Sequence, residues 1–513
     1  MAAIMQQAAD WVAKRWGSSA ARAPIKAAFG ANKRKFDAAQ VSRLTFSMAR
    51  TNTSLDYDLL RDLDKLRAAS RDQSYNNDYI KKFLQLVCTH VVGPNGFSLQ
   101  VQAKNGGGNL DERGNAAVEA AFYSWCQRGV CDVTGKLSFL DIQALVAKAV
   151  ARDGEVLIRK VYGPAANAFG FGLQMLDIDR LDTQKNEELA NGNIIVMGVE
   201  QTRYGKPVAY WLRKRHPGAM GMPQAFTDVY DVVPADEIYH LFLPDRAEQT
   251  RGFPWAHAAM TRLQNLHGFE EAAIIAARVG AAKMGFFTTP DGNATSIADG
   301  ENQDGDLHID AEPGEFKTLP EGVEFTPWDP QYPHAHYESF IKSCLRGVAS
   351  GLGVAYHTLA SDLEGVNFSS MRGGTLEERD QWMVIQSWMI ESFLAPLYKD
   401  WLRFALLNQQ ITFSNGSIMP LDALTKFSDA GVWQGRRWQW VDPIKDVEAA
   451  TLAIEQGFKT RKQVIAEMGL DIEDVWAQLA KEKEKSQKLG LELGKKAPAQ
   501  PKGAGPEPDP VPA

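Results

Sequence analysis

Apolar positions along the chain recur at helical spacing in long stretches and alternate in short ones between them. Leu59, Leu63 and Leu66 share a face, as do Tyr79, Phe83, Leu86 and Val87, so residues 55–92 predict two helices. Gly93-Pro94-Asn95-Gly96 reads as a turn, and Phe97 to Val101 alternates as a strand. Asn105 to Asn109, with its glycines, is a loop. Helices are predicted over 111–127 and 137–152, the second with Ser138 as N-cap and Asp141 in its first turn. Strands near 155–162, 173–176, 194–199, 208–213 and 238–242 complete an α+β body.

From Trp255 to Lys283 the pattern becomes helical and rich in small residues. Ala259, Leu263, Leu266, Phe269, Ala273 and Ala277 recur at three- or four-residue spacing, with further alanines around them. Small side chains let backbones approach, so both faces of this helix can meet other helices. Its length corresponds to roughly 40 Å. A polar insert with Gly and Pro follows over 284–333, with short strands expected at 315–319 and 323–326. A second helix is predicted from His334, with Phe340, Ile341, Cys344, Leu345 and Val348 on one side, ending at Gly351-Leu352-Gly353. Leu359 to Gly374 reads as a loop, and 376–407 as a buried helix that Pro396 should kink. Trp433 to Trp440 is an Arg- and Trp-rich connection, followed by helices over 442–457, 460–468 and 471–489. The Pro- and Gly-rich stretch from Lys495 predicts disorder.

Composition narrows the picture. At 513 residues the chain exceeds one hydrophobic core. Its 44% hydrophobic and 23% charged residues fit a soluble globular class. Lys plus Arg total 56 against 63 Asp plus Glu, a net charge of -7, which argues against a clamp for nucleic acid and allows a surface along which DNA slides. Cys88, Cys126, Cys131 and Cys344 form no CxxC pair and predict reduced thiols. No apolar run has the length of a membrane span. The basic, Ala-rich N-terminus lacks the apolar run of a secretory signal and reads as a mobile arm or as one that contacts DNA or a neighbouring subunit.

Candidate chemistry is sparse. Gly129 to Lys136 resembles a phosphate loop, but it has five residues between its glycines, and Leu137 stands where Ser or Thr would bind magnesium. Asp177, Asp179 and Asp182 could form a metal or acid–base cluster, with alternation placing the first two on one strand face; a charged strand end ion-paired near Arg180 is the simpler reading. His334, His336 and Glu338 lack further ligands, and on a helix positions i and i+2 diverge by about 200°. No Gly-x-Ser-x-Gly elbow is present. No cofactor, metal site or catalytic constellation is expected.

The order of several short motifs points elsewhere. They include Arg67-Ala68-Ala69-Ser70-Arg71-Asp72, Val91-Val92-Gly93-Pro94-Asn95-Gly96, Asp153-Gly154-Glu155, Leu176 to Leu181 and Gly205-Lys206-Pro207. Arg246 to Gln249, Arg251-Gly252-Phe253-Pro254-Trp255, Arg346 to Tyr356, Asn367 to Arg372 and Asp442-Pro443 follow. With this series the chain resembles the lambda-like portal proteins of tailed phages from about residue 55 to about 490.

The resemblance implies a portal fold and a dodecameric ring at one capsid vertex, in the virion after assembly in host cytoplasm. It implies a basic arm (1–54), an α+β wing (55–254), a first stem helix (255–283), a clip (284–333), a second stem helix (334–352), a tunnel-loop region (353–373), a long wing helix (374–440), a crown (441–490) and a tail (491–513). Duplex DNA would pass through. The terminase large subunit, then head–tail adaptors, would dock, alongside major capsid and scaffold proteins, without membrane contact. Candidate channel residues are Arg278, Lys283, Lys342, Arg346, Asn367, Ser369, Ser370 and Arg372; candidate interface residues are Ala273, Ala276 and Ala277. The alternatives are a ring-forming adaptor that passes no DNA, or a metal-dependent α+β enzyme.

Overall fold

The computed structural model describes residues 52–219, 229–281, 285–288, 300–301, 307–308, 324–327, 337–365, 367–438, 443–468 and 472–490. Residues 1–51 of the basic arm, the tail, Lys283, His334, His336 and the strand expected at 315–319 lie outside them. The chain divides into two units, 1–58 and 59–513. Of the first, residues 52–58 are described, and there the Thr53 hydroxyl donates to Asp58.

Helices α1 (Leu55–Asn76) and α2 (Asp78–Val87) are separated by Asn77, whose side chain accepts from the Tyr79 and Ile80 amides and starts α2. A π-helical turn, Cys88–Val92, prolongs α2. Strand β1 (Ser98–Val101) leads to α3 (Glu112–Trp125) and α4 (Phe139–Asp153). Ser138 and Asp141 close a reciprocal capping box at the start of α4, as their spacing predicts.

Antiparallel strands β2 (Glu155–Tyr162), β3 (Phe171–Leu176) and β9 (Ile238–Phe242) form one sheet, ordered β3-β2-β9. A meander of β4 (Glu187–Glu188), β5 (Ile194–Val196), β6 (Val199–Gln201), β7 (Pro207–Arg213) and β8 (Tyr230–Pro234) forms a second. The continuous strand expected at 194–199 is therefore a hairpin, turned at Met197 and Gly198, both with positive φ.

Helix α5 (His257–Ala281) precedes the short strand pairs β10 (Gly285–Thr288) with β13 (Glu324–Pro327) and β11 (Gly300–Glu301) with β12 (Leu307–His308). Helix α6 (Tyr337–Leu352) follows, then α7 (Tyr356–Ala360) and α8 (Phe368–Met389). The loop expected over 359–374 is thus much shorter. Asn367 caps α8 by accepting from the Ser370 amide, and Gly373 and Gly374 lie inside the helix. A π-helical turn at Ile390–Leu394 leads into α9 (Ala395–Leu407), with Pro396 directly after it in the first turn of α9.

The short helix α10 (Leu424–Phe427) precedes β14 (Gly431–Gln434), which pairs antiparallel with β1, Leu99 opposite Trp433. Part of the expected Arg- and Trp-rich connection is therefore a strand. Helices α11 (Pro443–Glu455), α12 (Arg461–Glu467) and α13 (Ile472–Leu489) end the described chain. The main core is aromatic: Trp125, Phe122 and Trp401 are buried together, and the Trp125 indole donates to the Phe171 carbonyl at 2.8 Å. Among the described residues no helix is long and apolar enough to cross a membrane.

Candidate functional site at the root of a helical hairpin

Three strands of sequence that look unremarkable singly meet at one buried carboxylate. Glu155, the first residue of β2, is fully buried. The Arg67 guanidinium of α1 reaches it, Arg251 donates to it at 2.8 Å, and His240 of β9 lies at 2.7 Å from its other oxygen. The backbone amide of Gly252 donates to Glu155 Oε2 at 2.8 Å. Burial pushes the Glu155 carboxyl up, but Arg251, Arg67 and the His240 hydrogen bond outweigh it and hold the group well below the usual carboxylate range. Burial pushes the Arg251 guanidinium down, against the attraction of Glu155.

Arg251 also donates to the Met197 carbonyl at 2.5 Å, which ties the five-stranded sheet to the same point. Arg67 Nε donates to the Asp153 carbonyl at 3.1 Å. The glycines beside the cluster are there for contact. A Cβ on Gly252 would stand 2.2 Å from the Gly154 carbonyl, and one on Gly154, at φ +92°, would stand 2.3 Å from Phe253. The segment 251–255 therefore crosses directly over the α4–β2 junction before α5 begins.

Next to this cluster Arg71 joins Asp153 at 2.7 Å, Asp179 at 2.5 Å and Asp177 at 3.5 Å. Asp177 and Asp179 do not lie on a strand face as alternation predicts. Asp177 caps a single 3₁₀ turn, accepting from the Asp179 amide, and His216 completes the group at 3.4 Å from Asp179. Both carboxylates already ion-pair with Arg71, so the cluster reads as ion pairing. The Gly129–Lys136 segment is likewise filled: the Asp132 carboxylate accepts from the amides of Thr134, Lys136 and Leu137 at 3.0–3.2 Å, where a phosphate would have to sit.

Beyond the root, α5 and α6 form an antiparallel hairpin. Small residues set its spacing. A Cβ on Gly351 would stand 3.9 and 4.0 Å from the methyls of Ala259 and Ala258, and Gly347 makes room for Arg262. Further along, Phe269 meets Phe340 and Tyr337, with ring centroids 5.0 and 5.8 Å apart. Ala273 is buried, Ala276 half-buried and Ala277 exposed, so the three candidate interface alanines do not share one environment.

The channel candidates also separate. Arg278 and Arg346 are exposed, Arg346 lying over the Tyr356 ring at 5.5 Å. Lys342 is drawn among Glu338, Glu364 and Asp362 at 2.5, 2.9 and 3.7 Å. Asn367 and Ser370 are engaged in the α8 cap, Ser369 is exposed beside them, and Arg372 pairs with Asp446 of α11 at 2.8 Å.

Residues 42–386 match the family described as phage portal protein, lambda family. The chain belongs to that family. It is 35% identical over 465 residues to a probable portal protein of Halomonas phage phiHAP-1, covering 89% of this chain and 88% of the relative. It is 23% identical over 475 residues to portal protein B of Escherichia phage lambda, covering 85% and 87%. A chain from the neck of an empty gene transfer agent particle aligns with a TM-score of 0.41 and 14% identity, covering 80% of this chain and 94% of that one. As a portal protein this chain is a structural, non-catalytic, ring-forming component of the phage head. Sequence reasoning singled out Arg251 to Trp255 but missed Glu155 as its counter-charge. An acid opening an otherwise apolar strand, Glu155-Val156-Leu157-Ile158, was the available signal.

Proposed function

We propose that this portal assembles as a dodecamer whose central channel passes duplex DNA during packaging, holds it, and releases it on ejection. In this reading α5 and α6 are the stem, residues 284–333 the clip, 353–373 the tunnel-loop region, 441–490 the crown, and the α+β body the wing. The terminase large subunit and then head–tail adaptors dock at the clip, and capsid and scaffold proteins surround the wing.

The observation that carries this reading is the hairpin itself. It is closely packed along one side, rooted in a buried charge cluster, and leaves Ile274, Ile275 and Ala277 exposed on α5. Those apolar positions are covered when a neighbouring hairpin packs against them. Duplex DNA carries one charge per about 1.7 Å of axis, so a low-friction channel needs few free cations. The pairing of Lys342 with three carboxylates and of Arg372 with Asp446 fits that need. Arg278 and Arg346 are exposed stem cations, and Ser369 and Asn367 polar contacts near the loop. The double variant Arg278→Glu, Arg346→Glu should assemble into particles that package or retain DNA poorly. Particles that fill and hold DNA normally would remove these two residues from the DNA path.

A further inference from the structure

Most arginines described above are matched to carboxylates. A group where α8 meets the end of β14 is not. Arg379 lies over the Trp438 ring at 5.7 Å, and its Nε is buried without a hydrogen-bond partner. Arg436 donates only to the Thr89 carbonyl, and Arg437 is exposed with no ion pair or hydrogen bond among the described residues. The aromatic stack behind them is fixed: Trp438 Nε1 donates to His90 Nδ1 at 2.9 Å, and His90 stacks on Trp382.

Arg379 and His90 respond to burial and to neighbouring positive charge. Burial and the neighbouring Arg436 push Arg379 down against the attraction of Asp446, and burial together with Arg436 and Arg379 pushes His90 down against that of Glu378. Arg379, Arg437 and Trp438 line a cleft of about 600 Å³ with an apolar floor that includes Leu376 and Met383. Of the two carboxylates on its rim, Glu467 is taken by Lys459 at 2.8 Å, and Asp380 makes no ion pair among the described residues. Half-buried, mutually repelling guanidinium groups cost stability unless an anion from outside completes them.

The same helix carries the complement on another face. Glu377 and Val384 of α8 and Glu391 of the π-helical turn that continues it recur at seven-residue steps and are all exposed, Val384 at 67%. Neither Glu377 nor Glu391 has an ion pair or hydrogen bond among the described residues. One chain thus presents an unpaired cationic cleft and an unpaired acidic stripe with an apolar centre. A head-to-tail contact in a closed ring requires two different, complementary faces on each subunit.

We propose that the cleft of Arg379 and Arg437 receives the Glu377–Glu391 stripe of the neighbouring copy. The occupant is a second copy of this chain, and the contact sets the direction in which the ring closes. The inference rests on ring formation by the portal; the fit of these two faces is additional to it.

The test is charge reversal with rescue, using sizing with light scattering across protein and salt concentrations. Arg437→Glu is exposed and should fold normally. It should move ring assembly to roughly tenfold higher protein concentration. Glu377→Arg should do the same, and the chain carrying both changes should assemble near wild-type concentration. Rings from each single variant indistinguishable from wild type would overturn the contact, as would a double variant no better than the singles. Single variants that form normal rings but lose DNA retention would also overturn it, in favour of a polyanion on the cleft. A wild-type chain that stays monomeric throughout would overturn the ring reading and this contact with it.

Discussion

At the scale of single residues, Glu155 is the most consequential side chain in the molecule. It is the anion on which Arg67, Arg251, His240 and the Gly252 amide converge. Glu155→Gln should lower unfolding stability by about 3–5 kcal/mol, because two buried guanidinium groups lose their counter-charge. Chemical denaturation at neutral pH measures this. The pH dependence follows from the depressed carboxyl. Its contribution is complete above the unfolded value of about 4.3 and is lost as pH falls below that toward the native value. Wild-type stability should therefore fall more steeply between pH 5 and 3 than that of Glu155→Gln; parallel curves would show that Glu155 is not the group titrating. Gly252→Ala should be as damaging as any core change, since its Cβ would meet the Gly154 carbonyl at 2.2 Å. We expect a loss of about 3 kcal/mol or more, or insoluble protein.

At the scale of elements, the alanines of α5 divide by environment. Ala273 faces the interior and Ala277 is exposed. Ala273→Leu should overpack the subunit itself and lower its melting temperature, by about 1–3 kcal/mol in stability. Ala277→Leu should leave the isolated subunit within about 0.5 kcal/mol of wild type while reducing ring yield. Equal effects of both on the subunit would contradict the assignment. Helices were the most legible feature of the sequence, because periodicity and caps are local: Ser138 with Asp141, and the boundaries of α5, could be read directly. The start of α8 was hidden by Gly373 and Gly374, whose cost is offset by the Asn367 cap and the Arg372–Asp446 ion pair. Strand β14 was hidden because its partner β1 lies more than three hundred residues earlier (Leu99 opposite Trp433). The Glu155 cluster was hidden for the same reason. Spacing along a chain does not reveal which distant charges will share a cavity.

At the scale of the whole molecule, a ring-forming portal explains features that a lone subunit leaves unaccounted for. Ile444 and Phe458 are 73% and 82% exposed at the C-terminal helices, and Ile274 and Ile275 are exposed on the hairpin. Apolar residues exposed on the hairpin and on the C-terminal helices are covered if a neighbouring copy packs there. In the proposed ring the buried cluster at Glu155 has a mechanical sense, since it fixes where α5 leaves the sheets and so the angle at which each hairpin would enter. The most direct test is electron microscopy of the purified protein viewed end-on. The account predicts rings with an open central channel and twelve-fold symmetry. Monomers, or rings whose axis is filled by protein with no passage for duplex DNA, would contradict it.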